Sequence, residues 1–294
     1  MLFRCLGMGV QRRAPSWPTT VTASLDGRAV LITGAAGGLG RTIATALARH
    51  GAGLLLVDID APRLLEVRDR FACHALVADI GDASDRRRVL EHCLAVGHDP
   101  DVLINAAGIE KASAFSDLAE EEVIHALQVN LVGTMLLTHS LLPGMQRAGR
   151  GHVISIASMA AIKPIPFNAV YNVAKSGLVA FSLSLSKELA GSGVDATVIC
   201  PSAVAAVGMW ARASDQLSRN RLVEGSVVSP EAVSDAVLEA LERRHRRILV
   251  GSPVVRAGAL LSGLSTHIDR ATDRLSRIED VYRERVRTDS SRRL

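Results

Sequence analysis

Aromatic residues make up only 3% of the 294 positions, and no long uninterrupted apolar run occurs. The first shortage leaves little to stack on nucleic-acid bases. The near balance of 34 basic against 30 acidic residues adds little pull on phosphate backbones, so no nucleic-acid partner is expected. The second shortage excludes a transmembrane helix, which needs about 18 or more consecutive apolar residues. The opening stretch 1–10 is broken by Arg4 and Gly7 and lacks the roughly 7 to 15 apolar residues of a secretory signal. Cysteine is sparse too. Cys5, Cys73, Cys93 and Cys200 show neither CxxC spacing nor a Cys/His cluster, so they read as free thiols, no metal site is expected, and the expected location is cytoplasmic.

What remains is material for one large core, since 48% of the residues are hydrophobic. Residues 1–24 mix Gly, Pro, Ser, Thr and Arg without periodicity and read as a disordered leader, or a segment absent from the mature protein. Across 25–252, runs rich in Val, Ile and Leu at 28–33, 53–57, 74–78, 101–104, 152–156, 194–199 and 247–250 alternate with longer amphipathic segments. Strands without polar alternation are buried on both faces. The expected fold is therefore α/β: a doubly wound, Rossmann-type parallel sheet of about seven strands with helices on both faces. After Ser252 the alternation stops, and Val254, Ala257, Leu261, Leu264, Ile268, Ala271, Leu275, Ile278 and Tyr282 recur at steps of three and four. That spacing predicts a C-terminal amphipathic helical extension over 253–294.

Val30-Leu31-Ile32 runs directly into Thr33-Gly34-Ala35-Ala36-Gly37-Gly38-Leu39-Gly40, and a helical stretch follows at once. Strand, glycine turn and helix start in this order suit a phosphate: glycines admit close backbone approach, and free N–H groups at the helix N-terminus meet the charge. Asp58 ends the next strand, where an acidic side chain reaches ribose hydroxyls and repels a 2′-phosphate. Neither Gly37 nor Ile59 offers a cation in its place, so NAD is favoured over NADP as cofactor. No Gly-Lys-Ser/Thr follows the glycines, which argues against a nucleotide triphosphatase.

Two further motifs follow in order, Asn105-Ala106-Ala107-Gly108 at the end of the fourth strand and Tyr171-Asn172-Val173-Ala174-Lys175. With its TGxxxGxG turn, NAAG and YxxxK elements, the chain resembles the short-chain dehydrogenase/reductase family over residues 25–252. The resemblance implies an NAD(P)-dependent oxidoreductase that transfers hydride between a nicotinamide cofactor and an alcohol or carbonyl substrate. It implies cofactor contacts from Gly34, Ala36, Gly37, Gly38, Leu39, Gly40 and Asp58, from Asp79 and Ile80 at the adenine, and from Asn105, Ala106, Ala107 and Gly108. Tyr171, Lys175, Pro201 and Val204 complete that set. Catalysis is implied for Ser158, Tyr171 and Lys175, with Asn130 keeping a water beside the lysine, while Thr33 braces the turn toward NAAG. The family often forms homodimers and homotetramers.

The chemistry accounts for these residue types. An alcohol being oxidised must lose its proton as hydride leaves, and a tyrosine with pKa near 10 is a poor base at neutral pH. Lys175, four residues beyond Tyr171 on one helix face, is expected to favour the phenolate. Ser158, thirteen residues before Tyr171, is placed to hold the substrate oxygen, although a capping serine would look the same. Asp79 reads equally as a cap for the helix starting near Asp82. One departure stands out: where the family carries PGxxxT, this chain has Pro201-Ser202-Ala203-Val204-Ala205-Ala206, so a polar cofactor contact is lost.

The segment 203–225 occupies the place of the family's substrate lid, and Met209, Trp210, Leu217 and Leu222 give it apolar character. Ile109, Ile162, Ile165 and Phe167 are expected to extend that surface, which points to a steroid, terpenoid or fatty substrate. The C-terminal seam has three candidate homes: its own domain near the substrate mouth, a partner subunit, or peripheral contact with a membrane surface. A non-catalytic dinucleotide sensor or scaffold of the same fold is the rival reading, opposed by the intact Ser158, Tyr171 and Lys175.

Overall fold

The computed structural model describes residues 25–97, 99–205 and 227–262, together with Arg270, Asp280, Tyr282, Arg283 and Val286. The leader, most of the lid segment and most of the C-terminal extension lie outside the described residues. Strands and helices alternate as β1 (Ala29–Thr33), α1 (Gly38–Arg49), β2 (Gly53–Asp58), α2 (Ala61–Phe71), β3 (His74–Val77), α3 (Ala83–Ala95) and β4 (Val102–Asn105). Then come α4 (Glu120–Leu127), a π turn (Gln128–Gly133), α5 (Thr134–Ala148), β5 (Gly151–Ile156), α6 (Ala169–Glu188), β6 (Val194–Pro201), α7 (Pro230–Arg243), β7 (Arg247–Val250) and α8 (Pro253–Ser262).

All seven strands pair in parallel, in the order β3-β2-β1-β4-β5-β6-β7. Successive residues of one strand feed opposite layers, which is why the runs carry no polar alternation. Val30, Ile32, Leu54, Leu56 and Ile104 pack with Ile43 and Leu47 of α1 and Val233 and Val237 of α7. Leu31, Leu55, Leu103 and Val153 face the other way, onto Val89, Leu137, Leu141 and Leu185. The edge strand β3 is the exception to two-sided burial, with His74 and Val77 exposed. The strand order reverses between β1 and β4, and there the carboxyl ends of the strands open the crevice in which such sheets bind ligands.

At the opposite end of the sheet, His152 of β5 is 3% exposed, with Nε2 2.8 Å from Thr197 Oγ1. The Thr197 hydroxyl donates to the His245 carbonyl, which leaves His152 Nε2 as the donor to Thr197 Oγ1. Burial, with Arg244 and Arg28 adding to it, pulls the imidazole down to about 3 from an ordinary 6.5. Unfolding exposes a base that takes up a proton below pH 6.5, so native stability falls as pH drops from that value toward about 3. His152→Gln is expected to lessen the loss of unfolding free energy between pH 7 and pH 5 by about 2 kcal/mol, read from urea unfolding at the two pH values.

Candidate active site

The glycine turn is held by close backbone contacts. Gly34 has φ of +71°, and a Cβ there would lie 2.7 Å from Ala107 Cα. A Cβ on Gly40 would fall 2.0 Å from the Gly34 carbonyl oxygen. Gly37 caps α1 with no side-chain hydrogen bond, which leaves the N–H groups of the first turn available to an anion. Thr33 Oγ1 accepts from the N–H groups of Ala106 and Ala107 at 3.2 and 3.3 Å, so it braces the turn against NAAG as expected. Asp58 Oδ2 accepts from Ala36 N at 2.9 Å and Oδ1 from Asp60 N at 3.0 Å, which fixes the carboxylate at the end of β2.

The two readings of Asp79 separate. Asp82 caps α3 by accepting from Asp85 N at 2.9 Å. Asp79 instead turns back to accept from Gly81 N at 2.8 Å and borders the same cavity as Ile80. Asn105 sits apart from its motif neighbours. It is 2% exposed, its amide donates to Thr138 Oγ1 at 3.2 Å, and it lies behind the cavity rather than on its wall. As the last residue of a central strand it faces a packed helix, whereas the residues that follow, Ala106 to Glu110, border the crevice.

One cavity of about 780 Å³ runs from the glycine turn to the far side of the sheet's carboxyl end. Gly34, Ala36, Gly37, Gly38, Leu39, Gly40 and Asp58 line one end, and Ser158, Tyr171, Lys175, Pro201 and Val204 the other. Ser158 ends the β5 loop, where its Oγ accepts from Ala160 N at 3.1 Å and also hydrogen-bonds the Tyr171 phenol. It is thus both a cap and a partner of the phenol. Lys175 is 4% exposed; its Nζ donates to the Ile156 carbonyl at 2.9 Å and sits 5.7 Å from the Tyr171 ring centroid.

The electrostatics differ from the expectation of an acidified phenol. Burial pushes the Tyr171 phenol up, Glu110 pushes it further, and only the Ser158 hydrogen bond works the other way. Burial also draws Lys175 down, to about 8. Desolvation is the largest influence on both groups: Tyr171 holds its proton at neutral pH and Lys175 stays mostly charged.

Asn130 is fully buried in the π turn. Its Oδ1 accepts from Ile109 N at 3.0 Å, and its amide donates to the carbonyls of Ile109 and Ala126 at 2.8 and 2.9 Å. What it does here directly is hold the backbone that follows NAAG. Among the apolar residues expected at the substrate end, Ile109 and Ile165 line the cavity. Ile162 instead packs against the cluster of Leu178 and Val198, and Phe167, at φ of +60°, is not on the cavity wall. The rest of the far wall comes from the C-terminal region: Val254, Val255, Gly258 and Ala259 of α8, and Tyr282. Val255 and Ala259 pack on Ala157, Met159 and Leu178, so α8 rests on its own domain through a face one position off the expected seam, whose Val254, Ala257 and Leu261 are exposed. Met209, Trp210, Leu217 and Leu222 lie outside the described residues, as does Ala206. Arg63, Glu110 and Lys163 also border the cavity and carry no motif of their own. Glu110, two positions after NAAG, had a positional signal; Arg63 and Lys163 had none.

The glycine cradle, the uncapped helix start and the carboxylate at the end of β2 fit a dinucleotide stretched across the switch point. Relatives agree. The short chain dehydrogenase family model matches residues 28–218. The chain is 32% identical over 237 residues to the ketoacyl reductase HetN of Nostoc sp., covering 77% of this chain and 79% of that one. It is 32% identical over 191 residues to the 2-keto-3-deoxy-L-fuconate dehydrogenase of Xanthomonas campestris pv. campestris, covering 64% and 62%. Among solved structures, the 3-ketoacyl-(acyl-carrier-protein) reductase of Brucella melitensis complexed with NADH superimposes with a TM-score of 0.69 at 26% identity, over 77% of this chain and 98% of that one. The family-model match over residues 28–218 and the ketoacyl reductase and dehydrogenase relatives make the chain a member of the short-chain dehydrogenase family, an oxidoreductase acting on an alcohol or its carbonyl counterpart.

Proposed function

We propose that the protein is an NAD-linked dehydrogenase or ketoreductase for a secondary alcohol or ketone with a sizeable apolar body. The observation that carries this reading is the continuity of the cavity, which passes from Ser158, Tyr171 and Lys175 onto a wall of Ile109, Ile165, Val255, Ala259 and Tyr282. Desolvation of such a wall by an apolar substrate favours binding by about 25 cal/mol per Å² buried. The nicotinamide cofactor, when bound, supplies the hydride acceptor or donor. In the reducing direction Tyr171 gives its hydroxyl proton to the forming alkoxide while Ser158 donates a hydrogen bond to the same oxygen. Lys175 offers the positive charge that stabilises the phenolate left behind, and Asn130 keeps the Gly108–Ile109 backbone in place.

The test is a panel of secondary alcohols and ketones of increasing apolar size, assayed with each nicotinamide cofactor. Turnover confined to small polar sugars or polyols defeats the proposal. Gly258 offers a second reading of the same panel, because among the described residues nothing lies within 4 Å of a Cβ placed there. A leucine side chain would project into space on the cavity wall. Gly258→Leu is expected to lower kcat/KM for the largest substrates about tenfold or more while leaving the smallest nearly unchanged, as one or two excluded methylenes cost about 1–3 kcal/mol.

Cofactor choice rests on Asp58. Asp58→Asn keeps an acceptor for the Ala36 N–H and removes the charge that repels a 2′-phosphate. Its kcat/KM ratio of NADP to NAD is expected to rise about 10- to 100-fold, which steady-state assays with both cofactors measure directly. Self-association into a dimer or tetramer is supported by Ile124, Met135, Leu136 and Val173, which are exposed on α4, α5 and α6. A cytoplasmic location is supported by Cys73, Cys93 and Cys200, which are free thiols.

A further inference from the structure

The π turn between α4 and α5 touches both ends of the cavity. Residues two apart on a helix point about 200° from each other, so Gln128 and Asn130 reach in opposite directions from one turn. On one side, Gln128 Nε2 donates to the Gly81 carbonyl at 3.0 Å. A Cβ on Gly133 would lie 2.3 Å from the Ile80 carbonyl oxygen, so the turn and the loop meet backbone to backbone. Buried Arg86 fixes that same carbonyl from behind, with Nη1 at 2.7 Å. On the other side, Asn130 holds Ile109 by both its N–H and its carbonyl. A Cβ on Gly108 would lie 2.7 Å from Asn130 Oδ1 and 3.4 Å from Lys175 Nζ. Asp79 and Ile80 line the cavity at one end of this chain of contacts, and Gly108 and Lys175 at the other. Wide turns of this kind recur at functional sites in helices; here the contact at Gly133 sets how closely the loop approaches, and the Gln128 hydrogen bond ties the Gly81 end of the loop to the turn.

We propose that Gln128 is a positioning residue, which by tying the loop Asp79–Gly81 to the π turn makes occupancy of the adenine end tighten the Gly108–Ile109 backbone beside Lys175. The proposal rests on dinucleotide binding as read above but not on the identity of the substrate. It predicts that the adenosine half alone, with no nicotinamide present, is felt at Ile109.

Adenosine 5′-monophosphate is the probe, and residue-resolved amide hydrogen exchange of the full chain is the readout. At saturating nucleotide, verified by calorimetry for each variant, exchange at the Ile109 N–H is expected to slow about fivefold or more in the wild type. Gln128→Met, of similar size but without a donor, is expected to bind the nucleotide and lose the effect at Ile109. Gln128→Lys, which keeps a donor, is expected to retain it, and serves as the variant of record if Gln128→Met does not fold. Exchange at Ile109 that ignores the nucleotide in the wild type, or slows equally in Gln128→Met, overturns the tie. Failure of the wild type to bind the nucleotide at all instead overturns the dinucleotide reading, and the tie falls with it.

Discussion

Tyr171→Phe is expected to leave a folded protein that binds its dinucleotide normally and turns over about 10³-fold more slowly or worse. Phenylalanine keeps the ring that packs in the cavity and removes the one group placed to exchange a proton with the substrate oxygen. Ser158 cannot substitute, since its own hydroxyl already serves Ala160 N–H and the phenol, and a serine is a far weaker acid. Paired measurements separate the readings: cofactor affinity by fluorescence titration, and turnover by the absorbance of the reduced ring. Equal turnover in the two proteins removes Tyr171 from catalysis. No turnover in either, with intact cofactor binding across the substrate panel, favours the sensor or scaffold.

The raised phenol adds a direction to this prediction. Because burial and Glu110 hold the Tyr171 proton on, the phenol carries at neutral pH the proton that reduction consumes. Oxidation needs the opposite charge state and must recruit the Lys175 ammonium and the positive charge of the oxidised cofactor. The oxidation rate is therefore expected to rise with pH through neutrality. Above the Lys175 pKa, about 8, the loss of that ammonium works against the phenolate.

Gly40→Ala is expected to have the largest effect on the cofactor site. The new methyl would meet the Gly34 carbonyl oxygen at 2.0 Å and the Ala35 Cα at 2.8 Å, and neither is the end of a side chain that could swing aside. Either α1 slides away from β1 or the turn opens. We expect about 3 kcal/mol of lost stability in urea unfolding and no measurable dinucleotide binding. Gly258→Ala, where a Cβ meets none of the described atoms within 4 Å, is the control and is expected to leave both quantities unchanged. Normal dinucleotide binding by Gly40→Ala would mean that the phosphates do not sit on this turn.

Much of this site was readable from short stretches of chain. Thr33 to Gly40 needs its glycines because the backbone folds onto itself within eight residues, and that demand is local. Tyr171 and Lys175 share a helix face by spacing alone. Asn105 shows where such reading stops: its motif neighbours line the cavity, but strand pairing turns its own side chain toward Thr138 of α5, thirty-three residues on. Whether Asp79 caps the next helix was equally closed to local reading, because Asp79 and Asp82 both lie within four residues of its start and only the position of the first helical residue, Ala83, makes Asp82 the cap.

By itself the amino-acid sequence determined the seven strands, the order of the motifs and the class of reaction, because each depends on residue type and on separations within one element or two. The tertiary structure alone decided the charge balance at Tyr171, the seat of α8 and Tyr282 on the cavity wall, and the meeting of the π turn with the loop at Ile80. These depend on desolvation and close packing between segments far apart in the chain, and no periodicity along the chain encodes a distance across the core.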